Sequence, residues 1–169
     1  PWQLSAAVDA DLTLTCGRAG FASELQAAAK AAGKTAAIHI KIDTGLHRIG
    51  FAPEELGGLL SELQNAPSLC VTGTFSHFSD TSDAALCARE YLLYETALET
   101  LRAAGIEPGL RHVACSAASE QYPQYCLDAV RVGRRLFMDA PTAPRGDILE
   151  VSTWRSFVTM VHPRRAGEQ

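Results

Sequence analysis

Apolar and polar residues alternate through Ile38–Phe51, IHIKIDTGLHRIGF, so that two faces separate. Side chains point to opposite sides of a strand at each step, which puts Ile38, Ile40 and Ile42 on one face. His39, Lys41 and Asp43 fall on the other, and a glycine turn carrying Arg48 follows at once. The same reading along the chain predicts strands over Asp11–Cys16, Ala36–Asp43, Cys70–His77, Arg111–Ser116 and Asp128–Gly133. Between them the period changes to that of a helix. Phe21, Leu25 and Ala28 mark a stripe within Ala19–Gly33, and Leu56, Leu59, Leu60 and Leu63 mark one within Pro53–Pro67. A long helix runs from a cap at Asp83 to Gly105, and a short one covers Ala117–Tyr122.

Five strands separated by helices predict an α/β fold built from parallel β/α units. Asp43, His77, Ser116 and Arg131 each fall at or just past the C-terminal end of a strand, the face where (β/α)₈ barrels carry their chemistry. An open doubly wound sheet gathers ligands mostly at one switch point, and the chain has neither G-x-G-x-x-G nor a Walker motif. The rhythm breaks at Asp139–Asp147, DAPTAPRGD. Ile148–His162 is then rich in β-formers without a helical stripe. The expected organisation is therefore a partial barrel over residues 1–140, and over 141–169 a linker with the first strands of an all-β domain.

Composition narrows the partners. Net charge is −4 with 47% hydrophobic residues, which gives no electrostatic footprint for nucleic acid or an anionic membrane. No apolar run approaches the ~20 residues of a membrane span. Five cysteines without C-x-x-C spacing fit a reduced, cytoplasmic protein. The first residue is Pro1 rather than Met, so the chain is expected to begin within a longer protein.

Several residues invite chemistry, each with a plainer alternative. An inward Lys41 must be paired, neutralised or modified; a Lys41–Asp43 ion pair is the simple solution. His77 lies between Phe75 and Phe78 and reads equally as a satisfied core histidine. His77, Asp80 and Asp83 lack the spacing of a metal site. Arg131 should point opposite to Val130 and Val132, or lie on the surface. Ser116 starts a helix and is either an N-cap or an anion contact.

Taken in order, these segments resemble the alanine racemase family. HIKIDTGLHRIGF resembles its lysine, Asp-Thr-Gly, arginine and Gly-Phe signature. GTFSHFSDTSD resembles its Thr-His-Phe segment, HVACSAAS its His-x-x-Asn-Ser-Ala-Ala segment, and AVRVGRRLF its Val-Arg-Pro-Gly segment. The resemblance implies a (β/α)₈ TIM barrel, here about strands 4–8, followed by a β domain. It also implies pyridoxal 5′-phosphate as cofactor, a cytoplasmic homodimer, and interconversion of L- and D-alanine for peptidoglycan precursors. A serine or broad-specificity racemase and a non-catalytic cofactor-binding relative share these segments. By resemblance Lys41 is carbamylated and orients Arg48, which reaches the cofactor's phenolic oxygen and the substrate carboxylate. His77 packs on the pyridine ring and Arg131 donates to its nitrogen. Cys115, Ser116, Gly133 and Arg134 complete the cofactor contacts. Cys115 stands where the family has Asn, Val132 where it has Pro, and Arg134 and Arg135 where it has small or apolar residues. The family's cofactor-bearing lysine and opposing tyrosine are expected outside these 169 residues, so the segment alone is expected to be inactive.

Overall fold

The alternation at Ile38–Ile42 becomes the spine of a parallel sheet. In the computed structural model, which describes residues 3–136 and residue 155, strand β2 (Ala36–Lys41) lies between β1 (Leu14–Cys16) and β3 (Leu69–Phe75), with β4 (Leu110–His112) outside β3. The order is β1-β2-β3-β4 and every pairing is parallel. Parallel neighbours need crossover connections, and helices supply them: α2 (Phe21–Ala31), α3 (Leu56–Gln64) and α4 (Ala84–Ala103). Two short helices, α1 (Leu4–Asp9) and α5 (Ser116–Gln121), flank this arrangement.

The core lies between one sheet face and these helices. Ile38, Ile40 and Ile42 are fully buried there, against a cluster that includes Leu25 of α2, Leu56 and Leu59 of α3, and Leu98 and Leu101 of α4. Each such side chain stabilises the fold by about 1.5–3 kcal/mol relative to exposure. Asp83 caps α4 by accepting the Leu86 N–H at 3.0 Å, one of the donors a helix start leaves unpaired. The opposite sheet face carries His39, Lys41, Phe75 and His112, as the strand parity predicts.

Strand β3 holds a bulge. Ile38 pairs with Val71 and His39 with Gly73, so Thr72 is skipped by the ladder, and its hydroxyl donates to the Ile38 carbonyl at 3.3 Å. Gly73 is needed for space: a Cβ there would sit 2.5 Å from His39 Nε2.

Two predicted features change. The strand expected over Asp128–Gly133 reduces to one parallel bridge between Arg131 and Cys115, with Arg131 N–H donating to the Ala114 carbonyl at 3.0 Å. Val130 and Val132 on either side are 40% and 41% exposed, so little burial extends the ladder. Helix α1 was not expected. Lys34 fastens its C-terminal end by donating to the Val8 and Asp9 carbonyls and pairing with Asp11 at 2.9 Å.

The chain divides into two units, Pro1–Val132 and Gly133–Gln169. In the second, Arg134–Leu136 forms a single 3₁₀ turn, closed by Leu136 N–H on the Gly133 carbonyl at 3.0 Å. The strands predicted over Ile148–His162 and the boundary at 140/141 fall outside the described residues, Arg155 apart. Among the described residues no helix is long and apolar enough to cross a membrane.

Candidate active site

Lys41 ends β2 with its side chain 2% exposed. Its ammonium donates to the Ile42 carbonyl at 2.6 Å and lies 5.7 Å from the centre of the Phe75 ring. Burial pushes its pKa down to about 8, opposed by Asp43 and assisted by Arg131 and Arg48. The Lys41–Asp43 pairing is thus long-range attraction, not a hydrogen-bonded ion pair among the described residues. Asp43 turns to its own loop, accepting the Gly45 and His47 N–H groups, each at 3.1 Å. Burial alone would raise its carboxyl, but those N–H groups and the Lys41 cation hold it below its ordinary value.

The loop then returns to the sheet. Phe51 N–H donates to the Lys41 carbonyl at 2.9 Å, and Asp43 N–H to the Phe51 carbonyl at 2.8 Å. Gly50, at φ +121°, makes this return possible, because a Cβ would lie 2.9 Å from both Lys41 Cγ and Asp43 N. Arg48 rides on this loop and is exposed. Among the described residues it makes no hydrogen bond to Lys41 or Asp43.

Arg131 is the best-anchored cation. Its Nη1 donates to the His112 carbonyl at 2.7 Å and to His112 Nδ1 at 2.6 Å. Its Nη2 donates to the Ser76 carbonyl at 2.7 Å, to His77 Nδ1 at 3.1 Å and to the Val113 carbonyl at 3.3 Å. A guanidinium only donates, so both imidazoles must accept at Nδ1 and carry their proton on Nε2. His112 Nε2–H is then the donor to His39 Nδ1, 2.9 Å away. The order of donation runs from Arg131 to His112 to His39. Burial, then Arg131 and His39, push His112 down to about 4, so it is neutral as this pattern requires. Burial, then Arg131, Arg48 and Lys41, also lower His77. Phe75 stacks on His112 with centroids 4.8 Å apart and lies 5.2 Å from the Arg131 guanidinium carbon.

The structure therefore brings Lys41 and Arg131 together around Phe75, joins His77 to them through Arg131, and places Arg48 on an exposed loop nearby in the chain. Ser116 begins α5 beside Cys115, which is half-buried and bridges to Arg131. Gly133 and Arg134 belong to the second unit and form its 3₁₀ turn. Sequence patterning did not single out His112. Its signal was its parity: it pairs with inward-facing Phe75, which in turn pairs with Lys41. Among the described residues no three His, Cys, Asp or Glu side chains group as metal ligands.

A parallel β/α sheet with cations and imidazoles collected at its strand ends is the arrangement of a (β/α)₈ barrel. Residues 1–141 match the alanine racemase N-terminal domain, and the chain belongs to that family. It is 39% identical over 118 residues to an alanine racemase of Desulfovibrio desulfuricans, covering 69% of this chain and 32% of that one. To an alanine racemase of Treponema denticola it is 32% identical over 146 residues, covering 83% and 38%. The crystal structure of alanine racemase from D-cycloserine-producing Streptomyces lavendulae superposes with a TM-score of 0.76 at 30% identity, covering 82% of this chain and 37% of that one. The chain thus spans well under half the length of these relatives, and its sheet is part of a TIM barrel.

Proposed function

We propose that this chain supplies the part of a pyridoxal phosphate-dependent alanine racemase that holds the cofactor ring and the substrate carboxylate. The observation that carries this reading is the anchoring of Arg131. Both Nη groups are committed to protein acceptors, and among the described residues its Nε–H makes no hydrogen bond. That remaining donor fits a pyridine nitrogen. Pyridoxal 5′-phosphate, when bound, supplies an electron sink that acidifies the α-carbon of an amino acid. Arg131 keeps its proton, so it gives a ring nitrogen a hydrogen bond without protonating it. The arginine thereby holds the sink at moderate strength, which suits reversible proton exchange.

His77, neutral and fixed by Arg131, offers an imidazole to pack beside the ring. Ser116, at the start of α5, is assigned to the phosphate. Lys41 is assigned a carbamate. A neutral amine adds carbon dioxide, forming an N–C bond and releasing one proton, and a pKa lowered to about 8 leaves more of the neutral amine near pH 7 than an ordinary lysine has. The resulting anion is an acceptor for Arg48 through charge-assisted hydrogen bonds, which aims Arg48 at a substrate carboxylate. Lys30 is exposed on α2, and Lys34 is held by Asp11 and the end of α1. By the family resemblance we assign the lysine that carries the cofactor covalently, and the opposing tyrosine, to positions outside these 169 residues. We assign β1–β4 to barrel positions four to seven and the Arg131 bridge to the eighth, in a homodimeric cytoplasmic enzyme.

The test incubates the intact protein and cofactor with L-alanine in deuterium oxide, followed by chiral chromatography and mass spectrometry. D-alanine carrying one α-deuterium is the expected product. L-serine run in parallel measures breadth of specificity. Absence of exchange with either amino acid would overturn the reading.

A further inference from the structure

A carboxylate lies beneath the two loops of this site, on the core side of the sheet. Cys87, Glu90, Tyr94, Ala97, Leu98 and Leu101 form the buried stripe of α4, and Glu90, 2% exposed, is its one charged member. Burying a carboxylate is costly unless it is hydrogen-bonded. Glu90 Oε2 accepts the Ser79 N–H at 2.9 Å, and Oε1 accepts the Ser79 hydroxyl in a very short contact. Ser79 lies two residues beyond His77. The same carboxylate packs on the other loop: a Cβ at Gly45 would lie 2.5 Å from Glu90 Oε1. Gly45, at φ +147°, lies three residues before Arg48. Asp43 holds this loop from the strand side through its own N–H acceptors, and Glu90 closes it from below.

We infer that Glu90 is a positioning residue that sets the Arg48 loop and the His77 segment relative to each other from outside the site. This deepens the racemase reading and rests on it for its effect on catalysis. Glu90 touches neither Arg48 nor His77; it acts through Gly45 and Ser79. Replacing it with alanine removes both acceptors and opens space under Gly45. Glutamine keeps the shape, and the Ser79 hydroxyl can turn to accept from its amide.

Hydrogen exchange and steady-state kinetics on the intact protein test this. In Glu90→Ala, amide exchange over residues 44–50 and 77–82 should accelerate about tenfold while β2 and β3 keep their rates. KM for L-alanine should rise about tenfold, more than kcat falls, because the carboxylate-binding arginine is misplaced. Glu90→Gln should restore both readouts to within about twofold of the parent. Ser79→Ala should loosen residues 77–82 in the same direction, and it carries the test if Glu90→Ala does not fold. Unchanged exchange over 44–50 in Glu90→Ala, or a glutamine variant as impaired as the alanine one, would overturn the proposal. If the protein racemises no amino acid, the kinetic arm fails with the proposed function, and the exchange pattern still decides the role of Glu90.

Discussion

Lys41 has exchanged its hydration for one carbonyl and the face of a phenylalanine, and its lowered pKa records the imbalance. From 10.5 down to about 8, the difference amounts to roughly 3 kcal/mol opposing the folded state when the lysine is charged in both states. Below pH 8 folded and unfolded chains both hold the proton and the penalty is complete. Between pH 8 and 10.5 the unfolded chain still binds it while the folded chain has released it, so stability rises with pH. In carbon dioxide-free buffer, Lys41→Met should be more stable than the parent at pH 7 and should lack that rise; urea midpoints measured across pH 7–11 check both. His112 gives a second expectation. His112→Leu strips Arg131 Nη1 of one acceptor and leaves a buried cationic donor less satisfied, lowering stability by about 1–3 kcal/mol in the same urea experiment. The burial of Lys41 was legible because strand parity is a local rule. The role of His112 was not, because it depends on the register of three strands and on an arginine nineteen residues further along.

At the scale of elements, helices and strands that bury a clear stripe were read correctly from sequence, and their ends were set by glycine, proline and the Asp83 cap. The exceptions are pieces with little to bury. Helix α1 has six residues and only Val8 buried, too short for a stripe to register. The segment around Arg131 reads as a strand, yet its valines stay exposed and side chains hold it instead. Arg111 and Asp128 form a two-pronged pair, at 2.8 and 3.1 Å, and Asp128 also accepts the Arg111 backbone N–H. Those bonds, first of all the side-chain pair, hold the Asp128 carboxyl down to about 2. Its contribution is present above pH 3.8 and lost as pH falls through 2. Because both side chains are about a third exposed, solvent screening keeps that contribution near or below about 1 kcal/mol. Asp128→Asn should therefore barely change the melting temperature at pH 7, whereas Ile40→Ala, in the middle of the core, should cost about 2–5 kcal/mol. Thermal and urea unfolding of the two variants side by side separates these magnitudes.

At the scale of the molecule, the described sheet has two outer strands, β1 and β4, each paired in full along one side only. Leu12, Leu110, Val130 and Val132 are exposed around it. Unpaired edges and uncovered apolar side chains favour association over a clean monomeric fold. The 169-residue chain expressed alone should therefore melt broadly and oligomerise, as read by calorimetry and sedimentation. A sharp monomeric transition would show that the arc is self-sufficient. The barrel assignment was legible because polar residues recur at successive strand ends, a regularity visible without knowing how the strands close.

Thr72 is a spare step in β3, because the residues on either side of it pair with consecutive residues of β2. Below it Val71 keeps step with Ile38, and above it Gly73 keeps step with His39. Substituting Thr72 changes one exposed side chain. Deleting it would set Val71 and Gly73 side by side, opposite the consecutive Ile38 and His39, so the bulge would close and every later residue would keep its face. Thr74, which meets buried Tyr94 at 2.9 Å on the helix side, would stay opposite Ile40. Phe75 would stay opposite Lys41, on the face of the imidazoles. Loss of this one residue is thus absorbed by the ladder with the site's faces kept, and almost any exchange of it is a local event.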